Sequence, residues 1–190
     1  MTTICLVRHG ETDWNVAERL QGMTDIPLND RGIRQAQACA NYLKDAAWDV
    51  IVTSPLQRAR KTADIINQSL QVPLTELDEC KERSFGDAEG MTIEKKNQKY
   101  KDAPIPNQED RATFRKRVLS GISKINQRYH GQKVLLVAHG AVIGTILREF
   151  TTSEMNAGHT KLLNACISNI AFHSNQWEVR NFNQVDHLSE

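Results

Sequence analysis

The sequence predicts an α/β fold, a three-layer sandwich with a mostly parallel central sheet flanked by helices and a small helical cap. Three observations carry this. Short apolar runs at residues 3–7, 50–52 and 133–138 have the length and continuous apolarity of strands buried on both faces. Segments with apolar residues at helical spacing lie between them, and strand–helix alternation builds a parallel sheet. Each run also ends in a polar turn sequence: Arg8-His9-Gly10, Thr53-Ser54-Pro55 and His139-Gly140.

Taken in order, residues 3–7 form a buried strand, followed by a loop containing Gly10, Gly22 and Pro27. Asn29 or Asp30 can cap a helix over about 31–44, whose apolar positions Ile33, Ala36, Ala40 and Leu43 share a face. Residues 50–52 are a strand and 58–70 a helix with Ala59, Thr62, Ala63 and Ile66 on one side. A weaker strand is expected at 72–77. Residues 91–101 are polar and helix-compatible until Pro104 and Pro106 break the pattern. Phe114, Val118, Ile122, Ile125 and Tyr129 mark an amphipathic helix over 109–129. The strand at 133–138 leads into a helix at 141–150. Residues 165–173 and 177–182 alternate as a closing strand pair, with Asn175 in the turn.

No repeat, low-complexity tract or linker interrupts the 190 residues, which reads as one domain, 1–190, with a cap segment at about 91–107. The 24 Lys and Arg nearly balance the 23 Asp and Glu, so no basic field for nucleic acid is expected. No apolar run is long enough for a membrane, and residues 1–3 lack the basic and apolar regions of a signal peptide. Cys5, Cys39, Cys80 and Cys166 are too scattered for a Cys-x-x-Cys metal or redox pair and read as reduced thiols. Cytoplasmic location, no metal, no cofactor, no nucleic-acid or membrane partner, and a monomer or weak homodimer are the expectations.

In open parallel sheets, ligands bind beyond the carboxyl ends of the strands. There the chain places Arg8, His9, Ser54, Arg58 one helical turn on, His139 and Gly140, with Glu82 after the weaker strand. A neutral imidazole can attack phosphorus. Two guanidinium forks suit phosphate oxygens. A protonated His139 and the N-terminus of the following helix would add positive charge. A carboxyl such as Glu82 can protonate a leaving alcohol.

These residues form blocks that resemble the signature of the histidine phosphatase superfamily, also called the phosphoglycerate mutase-like family. The blocks are Leu6 to Thr12 with Asn15, Gln21-Gly22 through Leu28 with Gly32 and Gln35-Ala36, and Ser54 to Ala59 with Thr62-Ala63. Glu82 with Phe85-Gly86 and Glu89-Gly90, then Val137 to Gly140, complete them in family order. Within the family the resemblance is nearest to the broad-specificity phosphatases of bacilli. Ala88, where many relatives carry an aromatic residue, and Lys61, where glutamine is common, depart from the pattern.

The resemblance implies a phosphomonoester hydrolase acting on small phosphorylated metabolites, with His9 as nucleophile and Glu82 as general acid and base. It implies a phosphate pocket of Arg8, Arg58 and His139 with Asn15 and Gly140, with Gln21 and Gly22 near the substrate and no metal. Glu89 is the alternative acid. A mutase-type isomerase would use the same intermediate. The short stretch from Gly90 to Val137, without paired arginines for a glycerate carboxylate, favours hydrolysis. His130, His159, His173 and His187 have no motif around them and read as structural or surface residues. Trp14 reads as loop packing or a substrate contact.

Overall fold

The structure is a computed structural model that describes residues 1–152 and 160–189. Six strands form one sheet: β1 (Thr2–Arg8), β2 (Val50–Thr53), β3 (Leu74–Glu76), β4 (Lys133–Ala138), β5 (Ile167–His173) and β6 (Gln176–Gln184). Their order across the sheet is β3-β2-β4-β1-β5-β6. The β3–β2–β4–β1 half is parallel, and β5 and β6 add an antiparallel edge. The helices are α1 (Asp13–Val16), α2 (Asp30–Leu43), α3 (Gln57–Leu70), α4 (Ile93–Tyr100), α5 (Arg111–Arg128) and α6 (Gly140–Phe150).

The expected three layers follow from the side-chain period of two in a strand. Ile4, Leu6, Val134 and Leu136 point to one face and meet Phe114, Val118, Ile122 and Ile125 of α5 and Val142, Ile143 and Ile146 of α6. Cys5, Val7, Leu135 and Val137 point to the other and meet Cys39, Ala40 and Leu43 of α2 and Ala59, Ala63 and Ile66 of α3. All four cysteines are buried and free.

The differences from expectation have local causes. The loop after β1 contains α1, too short for any periodicity to reveal. Thr12 caps it, and the side chain of Asn15 returns to the Thr12 amide in a capping box. β3 is shorter than 72–77 because the Asn67 side chain binds both the N–H and the C=O of Val72 at 2.9 Å, which occupies its ladder groups. α5 starts at Arg111 because Asp110 takes the N-cap position and accepts the amides of Ala112 and Thr113. Glu109 is thereby left outside the helix. In the 91–107 segment, α4 is capped by Thr92 and buries none of its residues.

Asn29 does cap α2, accepting the Gly32 amide. The cap brings α2 hard against the turn after β1. A Cβ on Gly10 would lie 2.4 Å from the Gly32 oxygen, and one on Gly32 would lie 2.1 Å from the Glu11 oxygen. These are main-chain atoms that cannot step aside, so both positions need glycine for close approach rather than for a special φ. Gly32→Ala is expected to cost about 1–3 kcal/mol, the usual scale of overpacking. Urea unfolding checks it, and an unchanged midpoint would show that the two segments separate easily.

Candidate active site

Register alone lines up the centre of the site. Arg8 pairs with Ala138 across β1 and β4, and Thr53 pairs with Val137 across β2 and β4. The next residues out are therefore His9, His139 and Ser54, side by side where three parallel strands end. The His9 and His139 ring centroids are 5.3 Å apart. His139 Nε2 lies 2.7 Å from Ser54 Oγ. His9 is 2% exposed and His139 is fully buried.

His9 Nδ1 lies 2.6 Å from the Gly10 carbonyl oxygen. A carbonyl only accepts, so in the neutral ring the proton is on Nδ1 and the lone pair is on Nε2. Burial holds the His9 pKa well below its usual value of 6.5, with the charges of Arg58 and Arg8 adding to the effect. His139 is pushed down in the same way, by burial first and then by Arg58, His9, Arg8 and Arg117. The sequence leaves the charge of His139 open; the lowered pKa favours the neutral ring, a hydrogen-bond group here. Ser54 Oγ, which accepts the Leu56 amide, can turn its proton toward His139 Nε2. The ring hydrogen then resides on Nδ1.

Both arginines are anchored by main-chain oxygens. Arg58, 1% exposed, donates from Nη1 to Thr24 at 2.9 Å and from Nη2 to Gly22 at 2.7 Å. Arg8 donates from Nη1 to Leu162 at 2.6 Å, and its Nε would be 3.3 Å from a Cβ on Gly140, at the first turn of α6. Among the described residues, three buried side-chain nitrogens have no hydrogen-bond partner, Arg8 Nε, Arg58 Nε and His139 Nδ1, and one oxygen, Asn126 Oδ1, shares that state. Leaving buried donors unmet costs roughly 1–3 kcal/mol each, more when charged. All three fall on residues selected from the sequence as phosphate ligands.

Glu82 is 9% exposed rather than solvated. Its Oε2 accepts the Ala141 amide at 3.1 Å and its Oε1 accepts the Arg83 amide at 3.0 Å. His139 holds the N-cap position of α6 without capping it, and the Glu82 carboxylate supplies the missing acceptor at that positive helix end.

The softer site residues have structural partners. Asn15 Oδ1 accepts from the Thr12 amide and from Asn164 Nδ2. Gln21 Oε1 meets the Thr12 hydroxyl at 2.9 Å. Gly22 has φ +55 and presents its carbonyl to Arg58. Glu89 accepts the amides of Met23, Thr24 and Phe85 and the Thr24 hydroxyl. It ties the acid loop to the segment whose carbonyls hold Arg58, a saturated role that does not suit an acid.

Other sequence candidates are elsewhere. His187 meets the Ala165 carbonyl, His173 pairs with Glu178, His130 is exposed, and His159 lies outside the described residues. Trp14 packs against Gly90. The Cys80 thiol is pushed up to about 12 by burial, so it is unreactive. Among the described residues, no His, Cys, Asp and Glu groups are placed to hold a metal ion, and no helix is long and apolar enough to cross a membrane. Three residues escaped the sequence reading: Asn164, which reaches the His9 carbonyl and Asn15, and Glu109 and Arg117, which grip the acid loop. Their partners are 149, 155 and 25 to 38 positions away, so no local pattern could have marked them.

Fold and site together define an α/β protein with His9, His139 and Arg58 buried and Arg8 half-buried at the carboxyl edge of its sheet. The family model of the histidine phosphatase superfamily (branch 1) matches residues 4–185, and the chain belongs to that family. It is 49% identical over 189 residues to an uncharacterized phosphatase, PhoE, of Bacillus subtilis (strain 168), covering 100% of this chain and 98% of that one. It is 33% identical to a metal-independent phosphoserine phosphatase of Arabidopsis thaliana, covering 100% and 84%. A phosphoserine phosphatase mutant from Entamoeba histolytica, solved with phosphoserine, superposes with TM-score 0.83 at 31% identity over 100% of both chains.

Neutral burial of two histidines has a thermodynamic signature. Each is freer to take a proton in the unfolded chain than in the fold, so the unfolded state binds more protons below the usual value of 6.5. Stability is then full above that pH and falls as pH drops, with a slope of up to about 1.4 kcal/mol per pH unit for each histidine. Urea unfolding of wild type and His9→Gln between about pH 5 and 7, the range around the unperturbed histidine value, should show a shallower acid loss in the variant. Parallel curves would mean that His9 titrates normally in the fold.

Proposed function

We propose that the chain is a phosphatase that hydrolyses small phosphomonoesters through a phosphohistidine on His9, without a metal ion. The observation that carries this is the set of unmet nitrogens on Arg8, Arg58 and His139 around an imidazole whose Nε2 lone pair is free. A phosphoryl group meets both demands, since its oxygens accept from the donors and its phosphorus accepts the lone pair. Asn15, its oxygen already engaged, has its amide hydrogens left for the same group.

In the first step His9 Nε2 forms a bond to phosphorus as the ester P–O bond breaks. The departing oxygen takes its proton from Glu82, which becomes a carboxylate. In the second step Glu82 takes a proton from water, the water oxygen bonds to phosphorus, and the P–N bond breaks. Phosphate leaves, His9 is neutral again and Glu82 is reprotonated. The two guanidinium charges and the first turn of α6 stabilise charge on the phosphoryl oxygens, the part a metal plays in other phosphatases. A relative named for metal independence supports that reading.

Phosphoserine is the first substrate to try, given the relatives that bear its name. The test is phosphate release from a panel of phosphomonoesters, including phosphoserine and 3-phosphoglycerate, with excess chelator. Release that resists chelator, vanishes in His9→Ala and leaves acid-labile phosphate on the wild-type protein is the expected result. Release that survives in His9→Ala would remove the intermediate. Conversion of 3-phosphoglycerate to its 2-isomer without net release would make the enzyme a mutase. Glu82→Gln should lower kcat/KM for alkyl phosphates on the order of 10²- to 10⁴-fold, and far less for p-nitrophenyl phosphate, whose leaving group needs little protonation; kcat for both esters also carries the shared second step.

A further inference from the structure

We infer that Arg117, anchored by Glu109, is a positioning residue that sets the orientation of the acid Glu82; the inference rests on the role proposed for Glu82 above. The Arg117 guanidinium makes a bidentate pair with Glu109, Nε to Oε2 at 3.0 Å and Nη2 to Oε1 at 2.8 Å. Its remaining donors go to main-chain oxygens of the acid loop. Nη1 reaches Glu79 at 2.9 Å and Lys81 at 2.8 Å, and Nη2 reaches Glu82 itself at 3.2 Å. Glu109 grips the next residues. Its amide donates to the Ser84 carbonyl, its carbonyl accepts Arg83 Nε, and its carboxylate accepts the Ser84 amide. The residue that supplies the proton is thus held from 79 to 84 by two side chains outside the site.

The support is rigid. Arg117 projects from α5, whose Phe114, Val118, Gly121, Ile122 and Ile125 are buried. The Phe114 ring lies under the guanidinium, 5.0 Å from ring centre to charge. A Cβ on Gly121 would be 3.0 Å from Glu79 Cβ, so helix and loop are in contact. The loop between β3 and α4 has no sheet ladder of its own. Without Arg117, three carbonyls would turn to water and the Glu82 carboxyl would keep its contact with Ala141 but lose its backbone frame. Burial alone would raise the Glu109 carboxyl, but Arg117 holds it below the usual carboxylate range, so the pair is ionised.

Misplacing a catalytic group by about 1 Å can cost on the order of 10²-fold, and the loss should fall where the acid is needed. In Arg117→Gln, kcat/KM for the fastest alkyl phosphate of the panel should drop about 10²-fold, while kcat/KM for p-nitrophenyl phosphate, which reports only the steps through P–O cleavage, and the affinity for inorganic vanadate stay within roughly threefold of wild type, a difference below 1 kcal/mol. Arg117→Lys, which keeps the charge but not the bidentate fork, should fall between. Glu109→Gln should mimic Arg117→Gln, and the double variant should add little to either.

Glu82→Gln is the benchmark. If it discriminates by leaving group and Arg117→Gln slows both esters alike or weakens vanadate binding, Arg117 is merely structural and the inference falls alone. If Glu82→Gln does not discriminate, the acid assignment falls and takes the inference with it. Thermal melting of each variant guards the comparison. Should Arg117→Gln not fold, Arg117→Lys and Glu109→Gln are read by the same criterion.

Discussion

Arg8 and Arg58 carry two like charges to one buried edge of the sheet, and what holds them there is main-chain carbonyl rather than carboxylate. Carbonyls satisfy guanidinium hydrogens without cancelling the charge. The positive potential therefore persists in a region of low dielectric, where a charge acts far more strongly than in water. Burial first, and that field second, hold the His9 pKa down and favour the neutral ring with its lone pair. Among the described residues, neither guanidinium is in a direct ion pair with a carboxylate, although Glu82, Asp25 and Glu89 act on Arg58 from farther off. The carboxylate whose charge reaches both arginines is that of Glu82, itself engaged at the α6 amide and the Arg83 amide.

Keeping carbonyls aimed at a guanidinium requires loops of fixed shape. Glu89 does this for the 22–24 segment by taking its amides, so that the oxygens of Gly22 and Thr24 face Arg58. Asn164 does it for the nucleophile turn, where it meets the His9 carbonyl beside the Ala165 amide. Thr62 completes the frame from α3, accepting the Gly10 amide and donating to the Arg58 carbonyl. The close approach of Gly10 and Gly32 is the same requirement expressed in packing.

Those dependences explain what could be read from the sequence. The layers were legible because β1, β4, α2, α3 and α5 bury faces of regular period, and period survives in any single sequence. His9, His139 and Arg58 were legible because each follows a strand end at short, fixed spacing. α1 and the limits of β3 were not, since Thr12–Asn15 and Asn67–Val72 are side-chain to backbone choices without periodicity. The neutral state of His139 was not legible either. It depends on how close Arg8, Arg58 and His9 come in space, and the sequence pattern shows only that the residue types are present. The family blocks identified Glu89-Gly90, but the clamp that Glu89 makes on residues 23 and 24 appears only once two distant loops meet.

The parts of the site differ in how firmly the fold commits to them. The His9, His139 and Ser54 row is set by strand register, and register cannot shift by one residue without swapping the side chains packed on α5 and α6 with those packed on α2 and α3. The phosphate end is therefore as rigid as the core. Glu82 belongs to the acid loop, outside that lattice, and its neighbourhood runs directly into Glu89, Gly90 and α4, whose side chains are not buried. A phosphoryl group is the same in every ester, whereas the alcohol behind it is not. A site with its invariant chemistry on strand ends, and its leaving-group chemistry on a loop beside an exposed helix, can change the alcohol it accepts without disturbing the phosphate pocket. The cost of that arrangement is that the acid needs its own scaffold, and α5, whose Gly121 packs against Glu79 of the loop, is the element placed to provide it.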